Sequence, residues 1–310
     1  MIVMFHYVRD ESVTHSGKFH PRYYCSRDKL ISVTKEFRRQ KKKFVTYREY
    51  SEIISNDRLA EDKLVCYTFD DATIDHFMVA APTLSDLGVT GSFYSITKVL
   101  DYGQSLALAI HQYHVANSLV QCESKYVDCL LRLIKRESDE DQIRTWKKKF
   151  SGWAGLDNAD VLLVKRILEV ELSDSQSREL IITALDSIDA SARRRFEKYV
   201  ENFYCGRSEL KEIFKAGFEV GSHSHTHRWL GQLPGDDGAR DINRSVDILR
   251  RIGVLGQKWT VCYPHGNWSA GLLGKLNMSS DCIGGLVMSD SSPDPDLKYL
   301  TSQRIDISAF

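Results

Sequence analysis

The stretch Leu64-Val65-Cys66-Tyr67-Thr68-Phe69-Asp70-Asp71 decides how this chain is read. Its apolar start is of the kind that forms a buried strand. Two adjacent carboxylates then stand at that strand's C-terminal end, where packing has no use for them. Side chains alternate across a strand, so two neighbours reach one site only if the backbone turns there. A single aspartate would read as a solvated strand end, or as the N-cap of a helix starting near Ala72. The pair, taken with the histidines described below, points to a site.

Working outward, residues 2–8 read as a first strand ending in His6-Tyr7, and residues 11–27 as a loop. Helices are expected at 27–39 and 47–54, then the 64–69 strand, a helix at 74–87 stopped by Gly88, and a strand at 89–96. The texture changes from about residue 104. Val127, Leu130, Leu131 and Ile134 fall at helical spacing, as do Leu180, Ile181, Ala184, Leu185 and Ile188, with hardly any strand signal. Residues 104–206 therefore read as a helical insertion or cap, and residues 1–103 with 207–310 as one discontinuous domain. Ser208 is expected to cap a short helix ended by Gly217. Strands follow at 218–222, 259–263 and 283–288, a helix at 241–252, and a last segment at 299–307. Alternating strands and helices make an α/β protein with a mostly parallel sheet, better suited to a distorted or incomplete (β/α) barrel than to an open sheet. Catalytic residues then belong at the C-terminal strand ends.

Across 310 residues, 42 lysines and arginines balance 42 aspartates and glutamates, which gives no electrostatic case for nucleic acid or an anionic membrane. No apolar run approaches the roughly 18 residues that would span a bilayer. No basic leader precedes Ile2-Val3-Met4-Phe5, so the expected location is cytoplasmic. Seven scattered cysteines without Cys-x-x-Cys argue against a disulfide framework and a cysteine zinc site. Cys66 and Cys262 read as small buried hydrophobes.

The second unusual stretch is His223-Ser224-His225-Thr226-His227, just past a strand. One helical turn, or a loop, would bring His223 and His227 together. Two histidines and one aspartate of the Asp70-Asp71 pair make the three-ligand set of a catalytic divalent metal, with one position open. Cys262-Tyr263-Pro264-His265-Gly266 is a tight turn at another strand end, and Arg304-Ile305-Asp306 sets an arginine beside a carboxylate near the C-terminus.

With these stretches assembled, the chain resembles the polysaccharide deacetylases, metal-dependent carbohydrate esterases that include chitin and peptidoglycan deacetylases. Thr68-Phe69-Asp70-Asp71 matches their first motif and His223-Ser224-His225-Thr226-His227 their second, while Tyr263-Pro264-His265-Gly266 matches the third only in part. The opening Met4-Phe5-His6-Tyr7-Val8-Arg9 looks like the first strand of the subset acting on surface-polysaccharide sugars. The resemblance covers residues 1–100 and 207–310. It implies that Asp71, His223 and His227 bind a divalent ion, most simply Zn2+, and that Asp70 is the general base. It implies too that the backbone N–H of His265 helps hold the oxyanion, and that Ser224 and Thr226 brace the histidine loop.

The family's strand-end arginine, the partner of the base, would fall near Cys262; Arg304 is the candidate to supply that charge from another strand. The histidine expected late in the chain is missing, which leaves the general acid open among His265, His6, His20 and His111. The implied activity is removal of an N-acetyl group from a sugar, on a nucleotide- or lipid-linked surface-polysaccharide precursor. Other readings are hydrolysis of another C–N bond, such as a cyclic imide or a different N-acyl group, and a non-catalytic carbohydrate-binding relative. The sugar, the acyl group and the oligomeric state are not encoded in any stretch identified above.

Overall fold

The computed structural model describes residues 1–10, 24–56, 58–100, 107–151, 157–288, 293–294 and 296–310. Two compact units emerge: Met1–His15, Pro21–Gln104 and Tyr204–Phe310 form the first, Ser16–His20 and Ser105–Phe203 the second.

The first unit is built on eight strands: β1 (Ile2–Phe5), β2 (Leu64–Phe69), β3 (Ser92–Ser95), β4 (Glu219–Ser222), β5 (Trp259–Cys262), β6 (Cys282–Val287), β7 (Ser302–Gln303) and β8 (Ile305–Asp306). Their spatial order is β7-β6-β5-β4-β3-β2-β1-β8, and every pairing is parallel. This is a nearly closed barrel with one unsealed seam, between β7 and β8, and helices around it. The short strand Lys43–Phe44 also pairs with β2.

Alternation along β2 sorts its residues. Phe69 lies between Phe5 of β1 and Phe93 of β3 in register, and the three rings stack at 4.7 and 4.6 Å between centroids. They join Val65 and Tyr67 in a cluster with helix residues Leu30, Phe37, Leu84, Leu210 and Leu249. Burying each such ring removes about 1.5–3 kcal/mol of apolar exposure, and each stacked pair adds about 0.5–1.5 kcal/mol. Leu64 and Cys66 pack on the other side of β2, with Tyr94, Cys262 and Leu286 inside the barrel. Thr68 and Asp70 share that inward phase. At the N-terminal end the interior is closed by Glu219, whose carboxylate accepts from the Arg48 N–H, Ser92 Oγ and Thr260 Oγ1 at 2.9, 2.6 and 2.6 Å.

Four expectations from the sequence need correction. The first strand breaks at His6: Ile2–Phe5 belongs to the barrel, while Tyr7–Arg9 pairs with Tyr24–Ser26, a strand inside the expected loop. The helix after Asp71 contains a π-helical turn, His76–Ala80. The 299–307 segment splits into β7 and β8 around Arg304, because its two halves pair with opposite sides of the seam. Ser208 does not cap its helix: the helix is Arg207–Lys215, and Glu209 accepts from the N–H of Gly206 at 2.9 Å.

The second unit contains helices Ala109–Leu119, Glu123–Glu137, Glu140–Phe150, Ala159–Arg166, Asp174–Asp189 and Arg193–Glu201. The Glu123–Glu137 helix buries Val127, Leu130 and Ile134, and the Asp174–Asp189 helix buries Leu180, Ile181 and Leu185. Ser173 and Gln176 form a capping box at the start of the latter. His111 lies in this unit, stacked on Phe203 at 5.1 Å. No helix among the described residues is long and apolar enough to cross a membrane.

Candidate active site

The C-terminal ends of β2, β4 and β5 meet at one place, and each runs into a left-handed backbone position there. Six non-glycine residues among those described have positive φ. Five of them are Asp71 (73°), Ala72 (49°), Ser224 (65°), His227 (59°) and His265 (57°). Such conformations cost about 1–3 kcal/mol each and persist where the surroundings over-determine them. The turn at Asp71 is what lets both neighbouring carboxylates reach one site, although alternation alone would separate them.

Asp71, His223 and His227 come together, all three buried. Oδ1 of Asp71 lies 3.4 Å from Nε2 of His223 and 3.3 Å from Nε2 of His227. Bonds of about 2.0–2.1 Å to a tetrahedral ion put its ligand atoms about 3.3 Å apart, so the donor set fits a zinc-sized cation. The tautomer fits as well. Nδ1 of His223 donates to the carbonyl of Cys262 at 2.8 Å, which leaves the Nε2 lone pair facing Asp71.

The two histidines are carried by a loop rather than a helical turn. Ser224 Oγ accepts from the N–H of His227 at 2.9 Å. The anchor that sequence reasoning missed is Asp241, on the Asp237–Arg251 helix. Its Oδ1 accepts the N–H groups of His225 and Thr226 at 2.7 and 3.2 Å, and its Oδ2 accepts the Thr226 hydroxyl. No local motif ties Asp241 to the histidines; only the fold brings it beneath them. The middle histidine, His225, turns its Nδ1 to Thr97 Oγ1 at 3.1 Å.

Asp70 is gripped separately. Nη1 of Arg304 donates to its Oδ1 at 2.7 Å, while Nε of Arg304 donates to the carbonyl of Val287 at 3.1 Å. Arg304 therefore reaches inward from the seam. Burial pushes the Asp70 carboxyl up, but the Arg304 charge, with His223 and His6, outweighs it and brings the pKa down to about 2. Cys262 differs from its expected role: its Sγ lies 3.4 Å from the same Asp70 oxygen, so it is a thiol donor to that carboxylate as well as a packed side chain. Burial holds that thiol's pKa well above its ordinary value.

Of the histidines left open for the acid, His6 has Nε2 4.0 Å from Oδ2 of Asp70. His265 stacks on Trp229 at 4.6 Å and 8°, and meets the His227 ring edge-on at 4.8 Å. His20 lies outside the described residues.

The family model for polysaccharide deacetylase matches residues 190–278, the part that carries the histidine loop and the Pro264 turn. The fold extends the likeness over nearly the whole chain. A Streptococcus pyogenes deacetylase, PplD, solved with acetate, shares 15% identity at TM-score 0.58, covering 98% of this chain and 90% of that one. IcaB from Ammonifex degensii shares 16% at 0.53, covering 98% and 89%. A de-N-acetylase from Aggregatibacter actinomycetemcomitans shares 12% at 0.54, covering 99% and 94%. No curated protein matches the chain by sequence. The chain is thus similar to the polysaccharide deacetylases, by family model over residues 190–278 and by fold over nearly its whole length.

Proposed function

We propose that this protein is a metal-dependent hydrolase that removes an N-acetyl group from a sugar of a surface polysaccharide or of its nucleotide- or lipid-linked precursor in the cytoplasm. The observation that carries this reading is the Asp71 oxygen set 3.3–3.4 Å from two histidine nitrogens, beside a second carboxylate held by an arginine. The fold shared with solved deacetylases supports it. The resemblance of the opening Met4-Phe5-His6-Tyr7-Val8-Arg9 supports the substrate class.

Asp71, His223 and His227 hold the ion, Zn2+ in this reading. When bound, the ion supplies Lewis-acid polarisation of the amide carbonyl and lowers the pKa of water toward about 7. Asp70, kept ionised by Arg304, takes the proton of the attacking water. The backbone N–H of His265 helps hold the oxyanion in this reading, a kind of contact whose loss costs roughly 3 kcal/mol in other hydrolases. The amide nitrogen must leave protonated. His6 is the acid, because its Nε2 faces Asp70 across the site and the His265 ring is engaged by Trp229 and His227.

Acetate release is the test, measured over N-acetylated nucleotide sugars, lipid-linked sugars and oligosaccharides, with zinc added and with chelator. Zinc-dependent release is expected, lowered by about 10²–10⁴-fold in Asp70→Asn. Normal turnover by Asp70→Asn, or ammonia or ring-opened product from a cyclic imide in place of acetate, overturns the reading.

A further inference from the structure

The chain leaves the barrel at His6. The last bond on that side of the ladder runs from the Asp70 N–H to the Phe5 carbonyl at 2.9 Å. The next residues, Tyr7–Arg9, already pair with Tyr24–Ser26. His6 thus sits in a bend between two sheets. Its carbonyl accepts from Nε2 of His76 at 2.6 Å. A carbonyl only accepts, so Nε2 carries the proton and the ring is a neutral donor. Burial, which brings the His76 pKa down to about 4, keeps it so. The ring packs at a steep angle against the stacked pair Phe69 and Phe93, at 5.5 and 5.7 Å.

Three residues past His6, Arg9 forms an ion pair with Asp75 at 3.0 Å, both side chains almost wholly inside. The adjacent residues Asp75 and His76 therefore hold the 6–9 segment at both ends. They stand where the helix widens into its π turn, a distortion that is rare and often found at functional sites. The chemistry above gives neither residue a step.

We propose that Asp75 and His76 are positioning residues: a two-point clamp that fixes the bend at His6 and so holds its imidazole against Asp70. This rests on the reading of His6 as the acid. Misplacing a catalytic group by about 1 Å can cost about a hundredfold in rate, so the effect belongs in kcat.

The test uses the full-length, zinc-loaded protein with an N-acetylglucosamine oligosaccharide, together with NMR of the 15N-labelled histidine rings. His76→Phe is expected to lower kcat by about 10–100-fold, leaving KM and zinc content unchanged, and to shift the His6 ring resonances. His76→Gln, which keeps an N–H donor, is expected to recover most of the loss, and Asp75→Asn to show an intermediate one. His6→Ala/His76→Phe should be no slower than His6→Ala alone. Wild-type kcat in His76→Phe beside a slow His6→Ala overturns the clamp and leaves the acid assignment standing. Full activity in His6→Ala overturns the acid assignment instead. In that case, or if the oligosaccharide is not turned over, the NMR decides the clamp: His6 resonances unmoved in both His76→Phe and Asp75→Asn overturn it.

Discussion

Nη1 of Arg304 lies 2.7 Å from Oδ1 of Asp70, and both side chains are enclosed. The arginine stands in the single residue between β7 and β8, which pair with opposite edges of the barrel's seam. One side chain thus fixes the charge of Asp70 and ties the seam to β6, through the Val287 carbonyl.

Replacing Arg304 with methionine keeps the volume and removes the charge. An uncompensated buried carboxylate then remains, which costs about 3–5 kcal/mol. Urea denaturation at pH 7 is expected to show a loss of that order, with turnover falling in parallel. Arg304→Lys is expected to retain part of the stability, since an ammonium offers charge without the planar fork that reaches Asp70 and Val287 together.

The two neighbouring aspartates should separate by metal content. Asp71→Asn and His223→Ala are expected to lose both bound zinc and activity. Asp70→Asn is expected to keep zinc near one equivalent per chain while turnover falls by about 10²–10⁴-fold. Elemental analysis of the purified variants beside acetate-release rates makes the comparison.

Asp241 predicts an effect at a distance. Its carboxylate accepts two N–H groups and one hydroxyl from the histidine loop. Asp241→Ala is expected to weaken zinc affinity by about 10–100-fold, in the range of other residues that orient metal ligands. Asp241→Asn keeps an acceptor oxygen for the N–H groups and should lose less. Competition with a chromogenic chelator measures both.

The barrel was legible because β2 carries an apolar run whose two faces each have a partner, and because paired carboxylates at its end have no packing role. That Asp71, His223 and His227 would converge was legible, since few structural needs put those residue types at strand ends. The break at His6 was not. Phe5 and Tyr7 continue the apolar pattern, and what ends the strand is pairing with Tyr24–Ser26, a segment 17 residues further on that carries no strand pattern of its own. The π turn at 76–80 leaves helical periodicity almost unchanged, so the composition hides it. Asp241 and Trp229 were missed for a related reason: each meets the histidines only after a loop and a helix have folded back.

Asp75 and His76 make one further prediction, on stability against pH. Burial raises the Asp75 carboxyl from 3.8 to about 6, against the opposing charge of Arg9, and lowers the His76 imidazole from 6.5 to about 4. The two act in opposite senses. Neutral His76 stabilises the folded state fully above pH 6.5, and that contribution fades as pH falls toward 4, because the unfolded chain takes the proton first. Asp75 contributes fully below pH 3.8 and loses its share as pH rises through 6, because the folded state holds the proton longer. Each shift is about two units, or roughly 3 kcal/mol. Between pH 6.5 and 4 the two therefore largely cancel in the wild-type protein. Denaturation midpoints across this window should expose them one at a time. Relative to wild type, Asp75→Asn should lose stability more steeply on acidification, and His76→Gln should lose it less steeply or gain. Parallel pH profiles for all three proteins would mean that neither group changes protonation in the way its burial demands.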